Sequence, residues 1–406
     1  MARIAIYIGR HLCTAPRPQK EAEALAAAGH EVTVHGVSYD PIYASRDQQL
    51  AAGKRWRWEP VADFSSHAPG RRLAWLACRL RHRAAKSWFE RSGRVTADVW
   101  GYANRALARH AARRPADLTI VHAEGGLWFG RRMQEDGARV GVDFEDWFSR
   151  DLTPAQQRGR PVAVLAALEE ELLRHCHYRL TTSRSLAAGL AGAYGVSAPA
   201  VAYNTFPSGL PPPSPASRPT VSLHWFSLVL GPERGLETLA AALPHLLGDW
   251  RLLLRGETSP GYRQQWLGLV PAALRPRIQF LPTVPAGELP ARLAEHDIGL
   301  ALDVSAIPSR NLTITNKLFH YLQAGLAVAA SDTAGHREAL DIAPDAGQLF
   351  PAGDATGLAR VLNRWLADRT SLRATRHGAR AAFERHFAHE RQQHLYAELA
   401  DRALAR

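Results

Sequence analysis

Residues 3–34, RIAIYIGRHLCTAPRPQKEAEALAAAGHEVTV, contain the pattern that decides the fold. We predict a strand over Arg3–Ile8, a helix over Gln19–Ala28 and a second strand over Glu31–Val34. Gly29 directly follows the predicted helix, and glycine is common at the point where a helix ends. A strand, a helix and another strand in this order form a βαβ unit, which implies a parallel sheet with helices on its faces.

The same alternation of short apolar runs and helical stretches continues along the chain and is interrupted once. Prolines and glycines are too dense for a helix or a central strand from about residue 205, so we place a linker over 206–220. Predicted strands lie before it at 117–121, 139–142, 178–182 and 200–203, and after it at 222–226, 251–255, 278–281, 298–302, 327–330 and 347–350. We therefore predict an α/β protein with two Rossmann-like domains, 1–205 and 221–383, that face each other across a cleft.

Length and composition agree with two globular domains. The chain has 406 residues, of which 46% are hydrophobic, and single cores rarely exceed about 300 residues. The formal net charge of +12 is compatible with phosphate-bearing substrates, anionic membranes or nucleic acid, and does not decide between them. Cys13, Cys78 and Cys176 are far apart and lack metal-binding spacing. No apolar run approaches the roughly 18 residues that span a bilayer, so we expect a cytoplasmic protein.

Two loops in the second half follow a predicted strand and open a helix, where the helix N-terminus favours a phosphate. The first begins at Gly231 and contains Arg234, whose guanidinium suits two phosphate oxygens. The second presents hydroxyl, amide and ammonium groups, and these are Thr313, Thr315, Asn316 and Lys317. From the spacing alone, an ordinary βα turn and a capped helix with an exposed lysine also explain these loops.

The first half offers a histidine and a group of carboxylates at the ends of predicted strands. His122 directly follows the strand at 117–121, at the sheet edge where ligands bind, although a lone histidine there is as often structural. Asp143 and Asp146 follow the next strand and are the type of residue that can hold a divalent metal. A role without metal or a surface loop explains them as well, and we predict no metal site.

Residues 71–115 look helical and strongly basic. They contain twelve Arg or Lys residues against two acidic ones, together with three tryptophans. Leu73, Leu76 and Leu80 recur at helical spacing, which is typical of a core-facing helix. A solvated basic face, an anionic membrane surface and nucleic acid remain as alternatives. We expect no nucleic acid, because the usual binding signatures are missing from the sequence.

Three motifs of other α/β enzymes are missing as well. No GxGxxG follows the first predicted strand, and the chain contains neither GxxxxGK[ST] nor GxSxG. Nicotinamide- or flavin-dependent dehydrogenases, P-loop NTPases and enzymes with a nucleophilic serine elbow are therefore disfavoured.

Several stretches resemble the family 4 glycosyltransferases, and together they extend over nearly the whole chain. Residues 231–239, GPERGLETL, resemble the donor loop of that family, with Arg234 at its basic position. Residues 315–332, TNKLFHYLQAGLAVAASD, resemble its donor-binding helix and the following strand. Residues 20–34, KEAEALAAAGHEVTV, resemble its first helix and second strand. The resemblance is strong in the second half and looser between residues 40 and 115.

This resemblance implies a GT-B fold, a nucleotide-sugar donor held mainly by the second domain, transfer with retention of the anomeric configuration, and neither metal nor cofactor. Arg234 and Lys317 would neutralise the departing diphosphate, and backbone N–H groups near Thr313–Asn316 would hold its phosphates. His122 would contact the transferred sugar from the first domain. A C-terminal helix within 384–406 would cross back onto the first domain.

The chain departs from the family pattern at a few positions. His320 and Leu312 stand where paired glutamates are usual, one of which normally binds the donor ribose. Glu338, a short way downstream, is an alternative donor-binding carboxylate. Leu228 stands where a second basic residue is expected, six residues before Arg234. Donor binding would therefore rest on fewer charged groups than is usual.

The sequence thus predicts a retaining glycosyltransferase that moves a sugar from a nucleotide diphosphate donor to a glycan or lipid-linked acceptor, in the biosynthesis of surface polysaccharides or glycoconjugates. The basic segment 71–115 suggests peripheral association with the inner face of an anionic membrane. Two alternatives remain. One is a nucleotide-sugar epimerase or phosphorylase on the same fold, and the other is a catalytically weak scaffold that has lost donor binding.

Overall fold

The computed structural model describes residues 1–66, 68–209 and 220–405. The chain divides into two units. The first unit comprises Met1–Thr182, Ala187–Ala202 and Gln393–Arg406, and the second comprises Ser183–Leu186 and Tyr203–Gln392. Most of the linker that the sequence predicts falls on residues 210–219, which lie outside the described ranges.

Seven strands form a parallel sheet at the centre of the first unit. They are β1 (Arg3–Tyr7), β2 (Glu31–Ser38), β3 (Arg57–Asp63), β4 (Leu118–His122), β5 (Val140–Phe144), β6 (Tyr178–Thr181) and β7 (Ala200–Val201). Their order in the sheet is β3-β2-β1-β4-β5-β6-β7, so the chain changes direction across the sheet between β1 and β4. In parallel α/β sheets, ligands bind beside such a point, at the carboxyl ends of the strands.

Helices precede or follow these strands along the chain. They are α1 (Pro16–Ala27), α2 (Pro41–Ala51), α3 (Pro69–Ser92), α4 (Asn104–Arg113), α5 (Ala123–Glu135), α6 (Val162–His175) and α7 (Arg184–Tyr194). Every residue of β4 and β5 is buried, which is expected of a parallel strand whose two faces are both covered by helices.

Six parallel strands form the sheet of the second unit. They are β8 (Val221–Val229), β9 (Trp250–Glu257), β10 (Ile278–Leu281), β11 (Ile298–Ala301), β12 (Ala327–Ser331) and β13 (Gly347–Phe350). Their order is β10-β9-β8-β11-β12-β13, which puts the change of direction between β8 and β11. The helices are α8 (Leu236–Ala242), α9 (Pro260–Gly268), α10 (Leu289–Ala294), α11 (Pro308–Leu312), α12 (Asn316–Ala324), α13 (Ala334–Ile342), α14 (Ala355–Ala367) and α15 (Arg369–Ala382).

The last helix, α16 (Gln393–Leu404), counts with the first unit although it follows the second in sequence. Tyr396, Ala400 and Ala403 are buried in the same hydrophobic core as Ile4 and Leu25. The predicted α/β fold with two Rossmann-like units and a returning C-terminal helix is confirmed. Within the described ranges, no helix is both long and apolar enough to cross a membrane.

The helix α5 forms although several of its residues are glycines. Its sequence contains Gly125, Gly126 and Gly130, and glycine disfavours an isolated helix. A Cβ at Gly126 or Gly130 would lie 3.0 Å from the side chain of Val121, so the glycines let α5 pack closely against β4. Tertiary packing therefore forms a helix that local propensity does not indicate.

Candidate functional site

The carboxyl edge of the second sheet brings a glycine loop and a carboxylate together. β8 and β11 lie side by side at the point where the chain changes direction. The loop from Gly231 to Gly235 leads from β8 into α8, and Asp303 follows β11. Gly235 has a φ of 78°, and a Cβ there would lie 2.0 Å from the carbonyl oxygen of Leu302. Only glycine therefore allows this close approach of the loop to β11.

Backbone strain in this loop lies at Glu233. Gly231 has open space where a Cβ would stand, so its position does not require glycine. Glu233 has a φ of 60°, and in the part of the chain that the structure describes only Ala123 shares this left-handed conformation without being glycine. Such strain persists only where the surrounding structure imposes it, and it is concentrated at functional sites.

Three basic side chains and a buried histidine lie near Asp303. Burial by itself would raise the pKa of Asp303, but nearby Lys317, His336, Arg310 and Arg234 lower it below its ordinary value. His336 Nε2 lies 3.6 Å from Asp303 Oδ2, and His336 Nδ1 lies 2.8 Å from the Ser331 carbonyl oxygen. The second unit thus concentrates positive charge at the edge of the sheet where a ligand is expected.

The nearest contacts of Arg234, Arg310 and Lys317 are with neutral groups. Arg234 Nη1 donates to Ser227 Oγ at 3.1 Å, and Arg310 Nη1 donates to the Glu233 carbonyl oxygen at 3.3 Å. The Lys317 ammonium lies 5.4 Å from the ring centroid of Trp225. Three cations near the single carboxylate of Asp303 leave an excess of positive charge, so the cluster can bind an anion with more than one negative oxygen.

The N-terminus of α12 adds backbone donors to this edge. Thr315 is the residue before the first turn, and its side chain makes no capping hydrogen bond. The Thr313 hydroxyl instead donates to the Ser309 carbonyl oxygen at 2.9 Å, and Asn316 is exposed. The first N–H groups of a helix have no partner within the helix, so they can donate to a phosphate here.

Glu338 serves as a cap for α7. Its Oε1 accepts from the Arg184 N–H at 2.8 Å and its Oε2 from the Ser185 N–H at 2.7 Å, in the part of α7 that counts with the second unit. The Ser185 and Tyr203 hydroxyls donate to the same carboxylate at 2.8 and 3.0 Å. Both oxygens of this candidate donor-binding residue are therefore engaged in structural hydrogen bonds.

Two of the three positions that depart from the family pattern have structural partners. The ring of His320 stacks on Phe206, with centroids 3.6 Å apart and an interplanar angle of 17°. The carbonyl oxygen of Leu312 accepts from the Ser183 hydroxyl at 2.7 Å. Leu228, at the end of β8, is 82% exposed. At His320, an aromatic contact with the segment after Tyr203 stands where a carboxylate is usual.

In the first unit, His122 ends β4 beside the change of direction of that sheet. The side chain is buried, and its Nε2 lies 2.7 Å from Glu21 Oε2. Ala123, the next residue, has the left-handed φ of 60° noted above. His122 also lines a cavity of about 220 Å³ together with Gly9, Arg10, Asn104 and Glu124. The predicted position of His122 at a ligand-binding edge agrees with this geometry.

Two groups of histidine and carboxylate side chains in the described ranges are close enough to hold a metal ion, with ligand atoms within 4.8 Å of one another. They are His35, Glu59 and His110, and Glu21, His122 and Asp143. In each group an arginine already meets a carboxylate. Arg114 Nη1 lies 3.4 Å from Glu59 Oε2, and Arg17 Nε lies 2.6 Å from Asp143 Oδ2. A second cation would have to compete with these guanidinium groups.

Asp303, Arg310 and His336 were not indicated by the sequence as members of the second-unit cluster. Asp303 had one usable signal, because it follows a predicted strand as His122 does. Arg310 and His336 lie in short helices that follow β11 and β12, so the sequence could put them near this edge, but it did not show that they meet Asp303. The structure therefore joins the two predicted loops, Gly231–Gly235 and Thr313–Lys317, with residues from other elements.

Comparisons with known proteins concern the family of the second unit and the fold of the whole chain. The family model described as Glycosyl transferases group 1 matches residues 223–368. Sucrose-phosphate synthase from Thermosynechococcus elongatus has a similar structure, with a TM-score of 0.70, 16% identity and coverage of 100% of both chains. No curated protein matches the chain by sequence.

Two further solved structures are similar over almost the whole chain. HepE from Anabaena, in complex with UDP-glucose, has a TM-score of 0.68 and 16% identity, and the match covers 99% of this chain and 100% of HepE. WaaG, a glycosyltransferase involved in lipopolysaccharide biosynthesis, has a TM-score of 0.62 and 14% identity, with coverage of 97% and 99%. At these identities the likeness establishes the fold.

Proposed function

We propose that this chain is a glycosyltransferase that moves a sugar from a nucleotide diphosphate donor, with retention of the anomeric configuration, to a glycan or lipid-linked acceptor. Residues 223–368 match the family model of the group 1 glycosyltransferases, and the whole chain has the fold of the structures compared above. The observation that carries this proposal is the group of three cations, Arg234, Arg310 and Lys317, near Asp303. A sugar nucleotide leaves behind a diphosphate, and cations fixed in advance lower the cost of the charge that develops on it.

Arg234 and Lys317 neutralise the leaving diphosphate in this mechanism. The N–H groups at the start of α12 hold its phosphate oxygens, with Thr313, Thr315 and Asn316 around them. Side-chain cations supply the charge that a divalent metal supplies in other transferases, so the reaction needs neither metal nor cofactor. HepE was solved with UDP-glucose, which makes UDP-sugars the first donors to test. His122, in the first unit, contacts the transferred sugar.

The acceptor belongs to a membrane-bound or surface glycan in this proposal, and α3 supports it. Leu73, Leu76 and Leu80 are 67, 50 and 56% exposed, so this stripe is not the core-facing side of the helix. The core-facing side carries Trp75 and Cys78 instead. The ring centroids of Trp75 and Phe64 lie 5.2 Å apart, and Cys78 is buried. An exposed apolar stripe is unusual on a soluble helix and suits the interface of a bilayer.

The charge of α3 matches an anionic lipid surface. The helix contains seven Arg or Lys side chains and one acid, Glu90. Arg72, Arg79 and Arg83 are exposed and flank the leucine stripe at helical spacing. We therefore place this glycosyltransferase on the inner face of an anionic membrane as a peripheral, cytoplasmic protein, where a lipid-linked acceptor is within reach. WaaG, with a similar fold, is involved in lipopolysaccharide biosynthesis.

Donor binding tests the proposal directly. Calorimetry with UDP, GDP, ADP and dTDP, each without added metal, should show that one nucleotide binds. Arg234→Ala and Lys317→Ala should each weaken that binding by at least about tenfold, since a charge-assisted hydrogen bond contributes about 1.5–3 kcal/mol. Turnover with the matching sugar nucleotide should fall in both variants.

Arg360→Ala is the matched control, because Arg360 is exposed on α14 in the same unit. It should bind the nucleotide as the unmodified protein does. Equal binding by Arg234→Ala, Lys317→Ala and Arg360→Ala would contradict the proposed donor site. Failure of every nucleotide to bind would instead favour the scaffold alternative.

A further inference from the structure

A buried polar cluster lies beneath the His122 turn of the first unit. Arg17, Glu21, Asp143 and Tyr178 come from α1, α1, β5 and β6, and all four side chains are buried. Arg17 Nε donates to Asp143 Oδ2 at 2.6 Å, and its Nη1 and Nη2 donate to backbone carbonyl oxygens at 2.7 and 3.2 Å. Arg17 and Asp143 thus neutralise each other, which leaves Glu21 as the carboxylate that pairs with His122.

Glu21 uses both of its oxygens. Its Oε2 lies 2.7 Å from His122 Nε2, and its Oε1 accepts a hydrogen bond from the Tyr178 hydroxyl. An ionised carboxylate can only accept hydrogen bonds, so the proton between the two side chains belongs on Nε2 of His122. Burial by itself would lower the pKa of His122, but the charge of Glu21 and its hydrogen bond raise it above the ordinary value.

The second ring nitrogen of His122 has no partner among the described residues. Nδ1 is buried, and a buried polar atom without a hydrogen bond destabilises the fold unless a ligand supplies the partner. His122 lines the cavity of about 220 Å³ at the carboxyl edge of the sheet. A ligand oxygen within reach of Nδ1 would satisfy it, and the left-handed φ of Ala123 shows that the surrounding structure fixes this turn.

We propose that Glu21 is a positioning residue for His122: it keeps a proton on Nε2 and balances a charged imidazole, so that Nδ1 presents an N–H group to a ligand oxygen in the cavity. The inference rests on the proposed function in one respect, because that function makes the ligand oxygen a hydroxyl of the transferred sugar. The neutral imidazole would keep its Nε2 proton and leave Nδ1 as an acceptor, so the two protonation states differ in what they offer the ligand.

Other charged and titratable groups surround the ring, and none replaces Glu21. Those on neighbouring elements are Arg17 and Lys20 on α1, Asp143 and Glu145 on and after β5, Tyr178 on β6, and Tyr396 on α16. Burial lowers the pKa of Lys20 to about 7. Asp143 and Glu145 add smaller raising effects to the pKa of His122 than Glu21 does.

The test compares Glu21→Gln with Glu169→Gln. Glu169 is also a fully buried glutamate of the first unit, and it accepts from the hydroxyls of Ser149 and Tyr194, both at 2.6 Å, without a histidine partner. The protonation of His122 is followed by NMR of protein with labelled histidine, assigned with His122→Gln. The pH profile of kcat/KM is measured in parallel.

Glu21→Gln should shift the His122 titration, and the alkaline decline of kcat/KM, downward by about one pH unit or more, because a neutral amide does not stabilise the imidazolium. Nucleotide binding should stay unchanged. Glu169→Gln should leave both curves in place. Tyr178→Phe keeps the Glu21 carboxylate but removes one hydrogen-bond donor from it, so it should shift the His122 titration upward. This variant tests the inference if Glu21→Gln does not fold.

A His122 titration that is the same in the unmodified protein and in Glu21→Gln would overturn the inference. The NMR measurement needs no turnover, so it separates this failure from failure of the proposed function. A protein without transferase activity whose His122 titration still depends on Glu21 would overturn the proposed function alone.

Discussion

Ala123 and Glu233 have the same unusual backbone conformation in two different units. Each has a φ of 60°, Ala123 directly after β4 and Glu233 in the loop after β8. Both strands border the change of direction of their sheet. For an L-residue this conformation places Cβ too close to the following carbonyl oxygen, at a cost of roughly 1–2 kcal/mol. The protein therefore keeps strained residues next to His122 and Arg234, at the two candidate sites.

Relief of this strain should stabilise the fold. Ala123→Gly and Glu233→Gly should each raise the free energy of unfolding by about 1 kcal/mol, because glycine adopts a positive φ without the Cβ clash. Urea unfolding, followed by circular dichroism, measures the change.

Ala374→Gly provides the reference for these substitutions. Ala374 is exposed in the middle of α15, where glycine should lower the free energy of unfolding by about 1 kcal/mol. Should Ala123→Gly and Glu233→Gly destabilise the protein as Ala374→Gly does, the two left-handed residues are not strained.

At the scale of elements, α3 has two apolar sides. One side packs against Tyr39 and Tyr102 through Trp75, at ring distances of 5.2 and 4.8 Å. The other side carries the exposed leucine stripe of residues 73, 76 and 80. A helix that only covered the sheet would need the first side alone, and the second side is the feature on which the proposed membrane surface rests.

Binding to vesicles should depend on the stripe and on the arginines beside it. The protein should co-sediment with vesicles of phosphatidylcholine and phosphatidylglycerol, and weakly with phosphatidylcholine alone. Replacement of Arg72, Arg79 and Arg83 together by Gln should weaken binding on the order of 100-fold, at about 1 kcal/mol per charge near an anionic surface. Replacement of Leu73, Leu76 and Leu80 by Ser should weaken binding to a similar degree. High salt should reduce the difference between the unmodified protein and the arginine variant more than the difference between the unmodified protein and the leucine variant.

The control uses exposed leucines elsewhere. Leu247 and Leu269 are 68 and 54% exposed and belong to the second unit, whereas α3 belongs to the first. The double replacement of these two by Ser should leave vesicle binding unchanged. Equal loss from both sets of leucines would show that general surface hydrophobicity, and not α3, determines the interaction.

At the scale of the whole molecule, several buried histidines are held neutral. Burial lowers the pKa of His35 to about 4 and that of His224 to well below its ordinary value. Burial also lowers the pKa of His110 and His336. The unfolded chain binds protons at these residues below about pH 6.5, whereas the folded chain does not. Their contribution to stability is therefore complete above that pH and decreases as the pH falls.

The protein should lose stability in mild acid. The free energy of unfolding should fall below about pH 6.5, by up to about 1.4 kcal/mol per pH unit for each proton taken up. His122 has a raised pKa and acts in the opposite sense, because its contribution is present at low pH and is lost as the pH rises through the folded value. Urea unfolding at a series of pH values measures the balance.

One buried histidine can be tested by itself. His224 on β8 is fully buried and stacks on His296, with ring centroids 4.3 Å apart. His224→Phe should make the acid decline less steep, since the aromatic contact remains and the proton site is removed. His377→Gln, on an exposed position of α15, should leave the slope unchanged. A slope that is the same in all three proteins would show that His224 does not govern the decline.

The sequence by itself determined the alternation of strands and helices, the two Rossmann-like halves and the positions of the two loops that we propose bind phosphate. These features are local. The spacing of apolar residues selects strand or helix, proline and glycine interrupt them, and a loop that contains Arg234 or Lys317 lies within a few residues of the strand before it. The carboxyl end of β4 could be located in the same way, and with it His122.

Only the tertiary structure decided which side chains meet at those loops. Glu21 reaches His122 across 101 positions of sequence, and Arg310 and His336 join Arg234 around Asp303 from separate helices. Glu338 accepts hydrogen bonds from the first turn of α7. The leucine stripe of α3 is exposed because Trp75 occupies the core side. Sequence periodicity shows that a helix has an apolar face, but the order of strands and the packing of helices decide which residues a face meets.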